Sequence, residues 1–164
     1  MKISLTAFLG LAQMFLAAGC QTAAAPKLRA DPPQGWKILV EMAQDGLTIK
    51  ALAPDAAGLN AGFGVTCASA EKMPTEDRFR SLVRLTREMS GASTVEVYDP
   101  ARKFFVLSYA YEETSGGSYV GRITVKTDSS GLGQTLVISG YWPVTADKDL
   151  GRVYADFAAS VDFK

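Results

Sequence analysis

The sequence predicts an α+β fold, in which an antiparallel sheet of about seven strands is covered by two amphipathic helices. Seven segments have the alternating or continuous apolar pattern that is typical of β-strands. Short turns rich in Gly, Pro, Asp and Ser separate most of them, which favours antiparallel pairing of consecutive strands. Two further segments repeat apolar residues at the helical period, and such helices need a sheet surface to cover.

The first three strands are predicted to form a meander. The turn signal Gln44-Asp45-Gly46 separates the first strand from the second, and a loop with Pro54 and Gly58 separates the second from the third. The predicted strands are Trp36 to Met42, Leu47 to Ala53 and Phe63 to Ala68.

A helix is predicted after the third strand. Thr75 is a suitable N-cap, and the acidic residues Glu76 and Asp77 suit the positive end of the helix dipole. Gly91 suits the C-terminal cap. The residues at helical spacing on its apolar face are Phe79, Leu82, Val83, Thr86 and Met89.

The second half of the chain predicts four more strands and a closing helix. The helix is expected from about Ala146 to Ser160, with Thr145 as its candidate cap. Gly151 weakens it by about 1 kcal/mol relative to Ala. Its apolar stripe is Leu150, Val153, Tyr154, Phe157 and Val161, and the strands are Thr94 to Tyr98, Phe105 to Tyr111, Tyr119 to Thr127 and Gln134 to Trp142.

Length and composition narrow the possible functions. The 164 residues suit about one domain, and the 17 basic side chains equal the 17 acidic ones, so we expect no nucleic-acid partner. The chain has no histidine, which excludes Ser-His-Asp and Cys-His catalysis and histidine-ligated metals. We therefore expect no enzyme, no cofactor and no metal site.

The first 20 residues are organised as a secretory signal, because Lys2 precedes an apolar run and small residues lead to Cys20. The run is shorter than the roughly 20 apolar residues of a membrane span. The segment Leu16-Ala17-Ala18-Gly19-Cys20 resembles the lipobox of bacterial lipoproteins. That resemblance implies that residues 1–19 are removed and that Cys20 is the lipid attachment site. The alternative is an ordinary signal peptide cut near Ala18.

The lipobox resemblance also implies a location in the cell envelope. Gln21 after the cysteine is permissive for the outer membrane, where the protein would face the periplasm. Residues 20–35 are rich in small residues and proline, so they are interpreted as the lipidated cysteine and a flexible linker. Residues 36–164 are interpreted as a single globular domain.

The remaining cysteine, Cys67, shares one strand face with Phe63 and Val65. It is interpreted as a small apolar core residue rather than a reactive thiol. If Cys20 carries no lipid, a disulfide between Cys20 and Cys67 becomes possible.

The globular part resembles the Mog1/PsbP-type α/β/α sandwich family. The resemblance is carried by the opening Pro32-Pro33-x-Gly35-Trp36, the helix after the first hairpins, the later meander and the closing helix. The helix ends in Phe157-x-x-x-Val161-Asp162-Phe163. That family includes bacterial lipoproteins, photosystem accessory proteins and small binding proteins.

Three arginines of the first predicted helix, Arg80, Arg84 and Arg87, share one face. They are candidates for contact with an anionic membrane surface or an acidic partner. A solvated helix face is the favoured interpretation, since Arg84 and Glu88 are spaced to form an i, i+4 pair.

Other candidate groups are interpreted as structural. The adjacent carboxylates Glu112 and Glu113 point to opposite faces of a strand, so they favour a hairpin tip over acid–base chemistry. The segment Asp128-Ser129-Ser130-Gly131 lacks the rest of a calcium loop and favours a turn. Aromatic residues on the later strands favour the core over a ligand surface, with Tyr98 and Tyr141 expected to be the more exposed. They are Tyr98, Tyr109, Tyr111, Tyr119, Tyr141 and Trp142.

These observations lead to the hypothesis of a lipid-anchored bacterial envelope protein with a non-catalytic binding or assembly-support domain. Its partners would be the membrane, through the lipid, and an envelope protein. Two alternatives remain open: a periplasmic carrier of a small apolar ligand, and an envelope enzyme that works without histidine.

Overall fold

The computed structural model describes residues 28–44, 47–55, 58–69, 77, 80, 81, 84, 88, 94–99, 104–112, 116–127 and 134–163. A short 3-10 helix, Val144–Ala146, precedes the closing α-helix α1, Asp147–Ser160. The strands are β1 Leu28–Arg29, β2 Trp36–Gln44, β3 Leu47–Pro54, β4 Gly62–Ser69, β5 Thr94–Asp99, β6 Phe104–Glu112, β7 Ser118–Thr127, β8 Gln134–Pro143 and β9 Asp162–Phe163.

The predicted α+β class is confirmed. Seven strands form one antiparallel sheet in the order β2-β3-β4-β8-β7-β6-β5, and β1 pairs with β9 in a separate two-stranded sheet. Strand β8 lies between β4 and β7, so it joins the first meander to the second. The seven predicted strands match β2 to β8 within two residues at each end.

Strand β2 departs from the regular pattern at one place. The register with β3 shifts between Ile38 and Val40, which leaves Leu39 as the extra residue of a β-bulge. A turn precedes this strand, with a hydrogen bond from the Trp36 N–H to the Pro33 carbonyl at 3.0 Å and Gly35 at a φ of 75°. The positive φ explains the glycine of the Pro-Pro-x-Gly-Trp segment.

Helix α1 is confirmed, but its predicted cap is wrong. Ala146 occupies the N-cap position, no side chain caps the helix, and Thr145 lies in the preceding 3-10 turn. Asp147 and Asp149 lie in the first helical turn, where carboxylates interact favourably with the helix dipole. The local rule for caps failed because the 3-10 turn already provides the backbone conformation that leads into the helix.

The core on one face of the sheet lies beneath α1 and centres on Phe63. Its ring stacks on Trp36 at 4.0 Å between centroids and on Phe157 at 5.4 Å. The edges of Trp142 and Tyr154 pack against it at 6.1 Å and 5.5 Å. Aromatic pairs in these geometries stabilise a core beyond the burial of their area. Cys67 is fully buried in the same core, as its strand position predicted.

The opposite face of the sheet also carries buried side chains. Leu107 of β6 lies opposite Ile123 of β7, and both are inaccessible to solvent, as is Val125. On this face the ring of Tyr109 lies over Gly121, where a Cβ atom would collide with it. Burial raises the pKa of Tyr109.

The first predicted helix falls mostly outside the described residues. Asp77, Arg80, Ser81, Arg84 and Glu88 are described, and all five are α-helical. The apolar face predicted for this segment lies outside the described part of the chain. In the described ranges, α1 is therefore the one α-helix with complete bounds.

The fold includes residues that the sequence assigned to the linker. Leu28 pairs with Phe163 through β1 and β9, and both Leu28 and Ala30 are buried in the core. The predicted linker through residue 35 is therefore too long, because the fold includes the chain from Leu28. The physical reason is tertiary, since β1 is held by the opposite end of the chain and has no pattern of its own.

Candidate binding surfaces

A cleft of about 350 Å³ lies between strands β6 and β7 and helix α1. Its floor includes Thr124 of β7 and Tyr154 of α1. Its sides are formed by Val106, Arg122, Lys126, Ala155, Ala158 and Ala159.

The strand period and the helix period together produce this lining. Arg122, Thr124 and Lys126 alternate with the buried residues Ile123 and Val125, so all three point towards α1. On the helix, Ala155, Ala158 and Ala159 lie at i, i+3 and i+4 and share one face. Their small side chains leave the cleft open beside the strand.

Arg122 occupies one end of the cleft and has weak polar contacts. Its Nη1 donates to the Gly151 carbonyl at 3.3 Å, and its Nη2 lies 3.9 Å from Asp147 Oδ1. Its guanidinium carbon lies 5.6 Å from the Trp142 ring centroid, within the range of a cation–π interaction. The Nε atom is buried and has no hydrogen-bond partner among the described residues.

The residues around Arg122 explain both its position and the glycine in the helix. Asp147 Oδ1 accepts a hydrogen bond from Trp142 Nε1 at 2.8 Å, so the carboxylate is held by the indole. Gly151 is the point where α1 approaches Arg122, and a Cβ there would lie 3.3 Å from Nη1. The helix-weakening glycine thus allows the close approach of strand and helix.

Lys126 occupies the other end of the cleft. Its ammonium donates to the carbonyls of Val161, at 2.8 Å, and Ala159, at 3.4 Å. Burial lowers the pKa of Lys126, and the nearby charge of Asp162 partly opposes that change. A cation at the C-terminal carbonyls of a helix also interacts favourably with the helix dipole.

The polar groups on the floor of the cleft form hydrogen bonds with the protein itself. The Tyr154 hydroxyl donates to the Ile138 carbonyl at 2.9 Å and lies 3.1 Å from Thr124 Oγ1. Burial raises the pKa of Tyr154 strongly, although the hydrogen bond with Thr124 opposes the shift. This phenol is therefore a structural group that stays protonated at physiological pH.

A second candidate surface is the outer edge of the large sheet. Strand β2 is an edge strand, and four of its apolar side chains are exposed: Ile38, Leu39, Val40 and Met42. Leu39, in the bulge, is the most exposed at 53%. The charges on this strand are satisfied within the chain, by pairs of Lys37 with Asp55 at 3.5 Å and of Glu41 with Lys50 at 3.0 Å.

The residues that the sequence singled out lie elsewhere. Cys20 and Arg87 are outside the described residues. Arg80 and Arg84 are exposed, and neither is among the described residues that line the cleft. Arg84 Nε lies 4.0 Å from Glu88 Oε1, at the predicted i, i+4 spacing, and both side chains are largely in solvent.

The structure describes only some of the carboxylate, turn and aromatic residues that the sequence analysis considered. Glu112 is exposed, whereas Glu113 and the segment 128–131 are outside the described residues. Trp142 is fully buried and Tyr119 is nearly so, while Tyr141, expected to be exposed, is half-buried. The side chain of Tyr98 is not among those described. Within the described ranges no cluster of three or more acidic, cysteine or histidine side chains could hold a metal ion.

The sequence did not indicate either surface as a site. In the sequence, Arg122 and Lys126 are polar residues of an alternating strand, and two cations two strand periods apart are a usable signal of a shared face. The apolar run of β2 has the pattern of an ordinary strand, and its exposure depends on its position at the edge of the sheet. Among the described residues, no helix combines the length and the apolar character of a membrane span.

Solved protein structures include chains with a fold similar to this one. Neither a protein-family model nor a curated protein sequence matches the chain. Among solved structures, the crystal structure of LpqN, described as involved in cell envelope biogenesis of Mycobacterium tuberculosis, has a similar fold. The TM-score is 0.51 and the identity is 10%, over 86% of this chain and 85% of that one. The similarity shows a shared fold.

Proposed function

We propose that this protein is a lipid-anchored bacterial envelope protein whose domain binds an envelope protein partner without catalysis. The lipobox-like segment ending in Cys20 supports the anchor. The shared fold with LpqN, described as involved in envelope biogenesis, is consistent with an envelope role. The observation that carries the binding function is the exposed apolar edge of β2.

The anchor would hold the domain close to the membrane. Because the fold includes Leu28, the tether from Cys20 ends at or before that residue, which limits its reach to about 26 Å at ~3.3 Å per residue. The outer membrane, facing the periplasm, is the proposed location, since Gln21 is permissive for export to it.

The edge of β2 suits pairing with an extended apolar segment. An edge strand presents backbone N–H and C=O groups that another strand can use, and proteins normally protect such edges with charges. Here the charged residues Lys37 and Glu41 are paired within the chain, and the side chains between them are apolar. The bulge at Leu39 limits continuous pairing on one side and so favours a short partner strand.

The anchor is tested by growing cells with radiolabelled palmitate. The wild-type protein and Cys67→Ala should be labelled, whereas Cys20→Ala should not be. Equal labelling of wild type and Cys20→Ala would contradict the anchor. Separation of the two membranes on a density gradient then tests the outer-membrane location, which recovery in the inner membrane would overturn.

The binding function is tested by cross-linking in intact cells, followed by purification of the protein. Leu39→Lys should abolish the main cross-linked product. Val144→Lys is the matched control, because Val144 is similarly exposed, at 45%, but lies outside β2. Equal cross-linking of wild type and Leu39→Lys would show that β2 is not the interface.

A second function is supported by the cleft between β7 and α1. Its volume of about 350 Å³ lies at the lower end of the range for small-molecule sites, and alanine and valine side chains form much of its wall. A carrier of a small apolar ligand would use this space. Native mass spectrometry of the protein from its host should then reveal a bound mass that denaturation releases, and repeated absence of such a mass would count against a carrier.

A further inference from the structure

We propose that the cleft binds a single-chain carboxylate amphiphile, with its head group on Arg122 and its alkyl chain along the alanine face of α1. This inference deepens the carrier function proposed above and rests on it. It does not depend on the lipid anchor or on the β2 edge. The cleft supplies the charge, the unused donor and the apolar wall that such a ligand requires.

The charge of the lining selects an anion. Arg122 and Lys126 both line the cleft, and no carboxylate is among the described lining residues. Asp147 lies 3.9 Å from Arg122 Nη2 and accepts from Trp142, and Asp162 interacts with Lys126, but neither carboxylate lines the cleft. An anion in the cleft would therefore meet positive charge without an acidic group between.

Arg122 is the cation with unused donors. Buried donors in proteins are nearly always hydrogen-bonded, so its unpartnered Nε requires an explanation. The contacts of Nη1 with Gly151 and of Nη2 with Asp147 are long, at 3.3 Å and 3.9 Å, so the guanidinium can move towards the cleft at small cost. Donation from Nε to a carboxylate oxygen would be a charge-assisted hydrogen bond, which is stronger than one between neutral groups.

Lys126 has a different role. Its ammonium is directed to the carbonyls of Val161 and Ala159, so its methylene stem is left as the apolar lining of the far end. The head group of a single-chain ligand therefore belongs at Arg122, and the end of its chain lies beside the stem of Lys126.

The length and volume of the cleft suit one chain of about ten carbons. Arg122 and Lys126 are four strand residues apart, which corresponds to about 13 Å. Helix α1 runs in the same direction as β7, because Arg122 contacts Gly151 while Lys126 contacts Ala159 and Val161. A volume of 350 Å³ holds about a dozen groups of the size of water, at ~30 Å³ each, which matches decanoate.

The test uses the full-length protein purified from its host and a decanoate analogue that carries a diazirine at the end of the chain. Illumination should label peptides from β6, β7 or α1, and free decanoate should compete with the label, whereas decanol should compete at least about tenfold less well, because it lacks the charge read by Arg122. Arg122→Gln should reduce labelling about tenfold for the same reason. Arg84→Gln, which removes an exposed arginine outside the lining, should leave it unchanged.

A second variant makes the result independent of folding effects at Arg122. Ala155→Leu places a larger side chain in the cleft from an exposed position and should block labelling while the melting temperature stays that of the wild type. Equal competition by decanol and decanoate would overturn the carboxylate head group but retain the apolar carrier. Labelling confined to other peptides, or unchanged in Ala155→Leu, would overturn both. Neither result bears on the β2 edge or on the anchor.

Discussion

Trp142 of β8 donates its indole N–H to Asp147 of α1 at 2.8 Å, which connects a central strand of the sheet to the first turn of the helix that covers it. The same indole ring lies 5.6 Å from the guanidinium carbon of Arg122. Trp142 is completely buried, so its N–H has no access to solvent as an alternative partner. The carboxylate of Asp147 therefore contacts both Trp142 at the end of β8 and Arg122 at one end of the cleft.

Replacement of Asp147 by alanine should lower the free energy of unfolding by about 1–3 kcal/mol, because it leaves the buried indole donor unpaired. Asp147→Asn retains an acceptor and should cost less. Asp149→Ala is the control, since Asp149 lies in the same helical turn and shares only the favourable interaction with the dipole. Urea unfolding followed by circular dichroism measures all three, and equal losses for the Asp147 and Asp149 alanine variants would contradict the indole contact.

Gly151→Ala should fail to stabilise α1. Helix propensity alone favours alanine by about 1 kcal/mol. The new Cβ would lie 3.3 Å from both Arg122 Nη1 and Asp147 Oδ1, which is closer than most carbon contacts, so the gain should be cancelled. In an Arg122→Ala background the same substitution should recover part of the gain, because only the contact with Asp147 Oδ1 then remains. A double-mutant cycle measures this coupling, and equal effects in the two backgrounds would refute it.

Leu28→Ser should destabilise the domain, although Leu28 lies in the segment that the sequence predicted to be a linker. The side chain is buried in the core, and burial of a leucine contributes about 1.5–3 kcal/mol. Arg29→Ser is the matched control, because the neighbouring side chain of β1 is exposed. Denaturant unfolding of both variants distinguishes them, and a Leu28→Ser variant as stable as Arg29→Ser would show that β1 contributes nothing.

Alkaline pH should destabilise the protein through Tyr154. Burial raises the pKa of this phenol in the folded state, so the unfolded chain loses its proton first as the pH rises above 10, the ordinary tyrosine value. Stability is then fully present below pH 10 and falls above it, by up to about 1.4 kcal/mol per pH unit for one group. Unfolding in urea between pH 9 and 11.5 should show a shallower decline for Tyr154→Phe. An unchanged slope would exclude Tyr154 as the cause.

The secondary structure was largely predictable because its signals are local. The alternation along β7 and the helical stripe from Leu150 to Phe157 each lie within one element, and both are confirmed. The cap at Thr145 was wrong because it depended on how a 3-10 turn enters the helix. The binding surfaces could not be predicted from local patterns. The role of Arg122 depends on the helix that packs beside β7, and the role of Leu39 depends on the position of β2 at the edge of the sheet.

The sequence by itself determined the α+β class, the strands β2 to β8, the closing helix and the absence of histidine chemistry, since periodicity and composition need no knowledge of distant contacts. Only the tertiary structure decided that β8 lies between β4 and β7, that Leu28 closes on Phe163, that β2 is an exposed edge and that a basic cleft opens beside α1. The physical reason is the same in each case. These features depend on how segments far apart in the chain are arranged in the fold. Such arrangements produce no periodic pattern in the sequence of either segment alone.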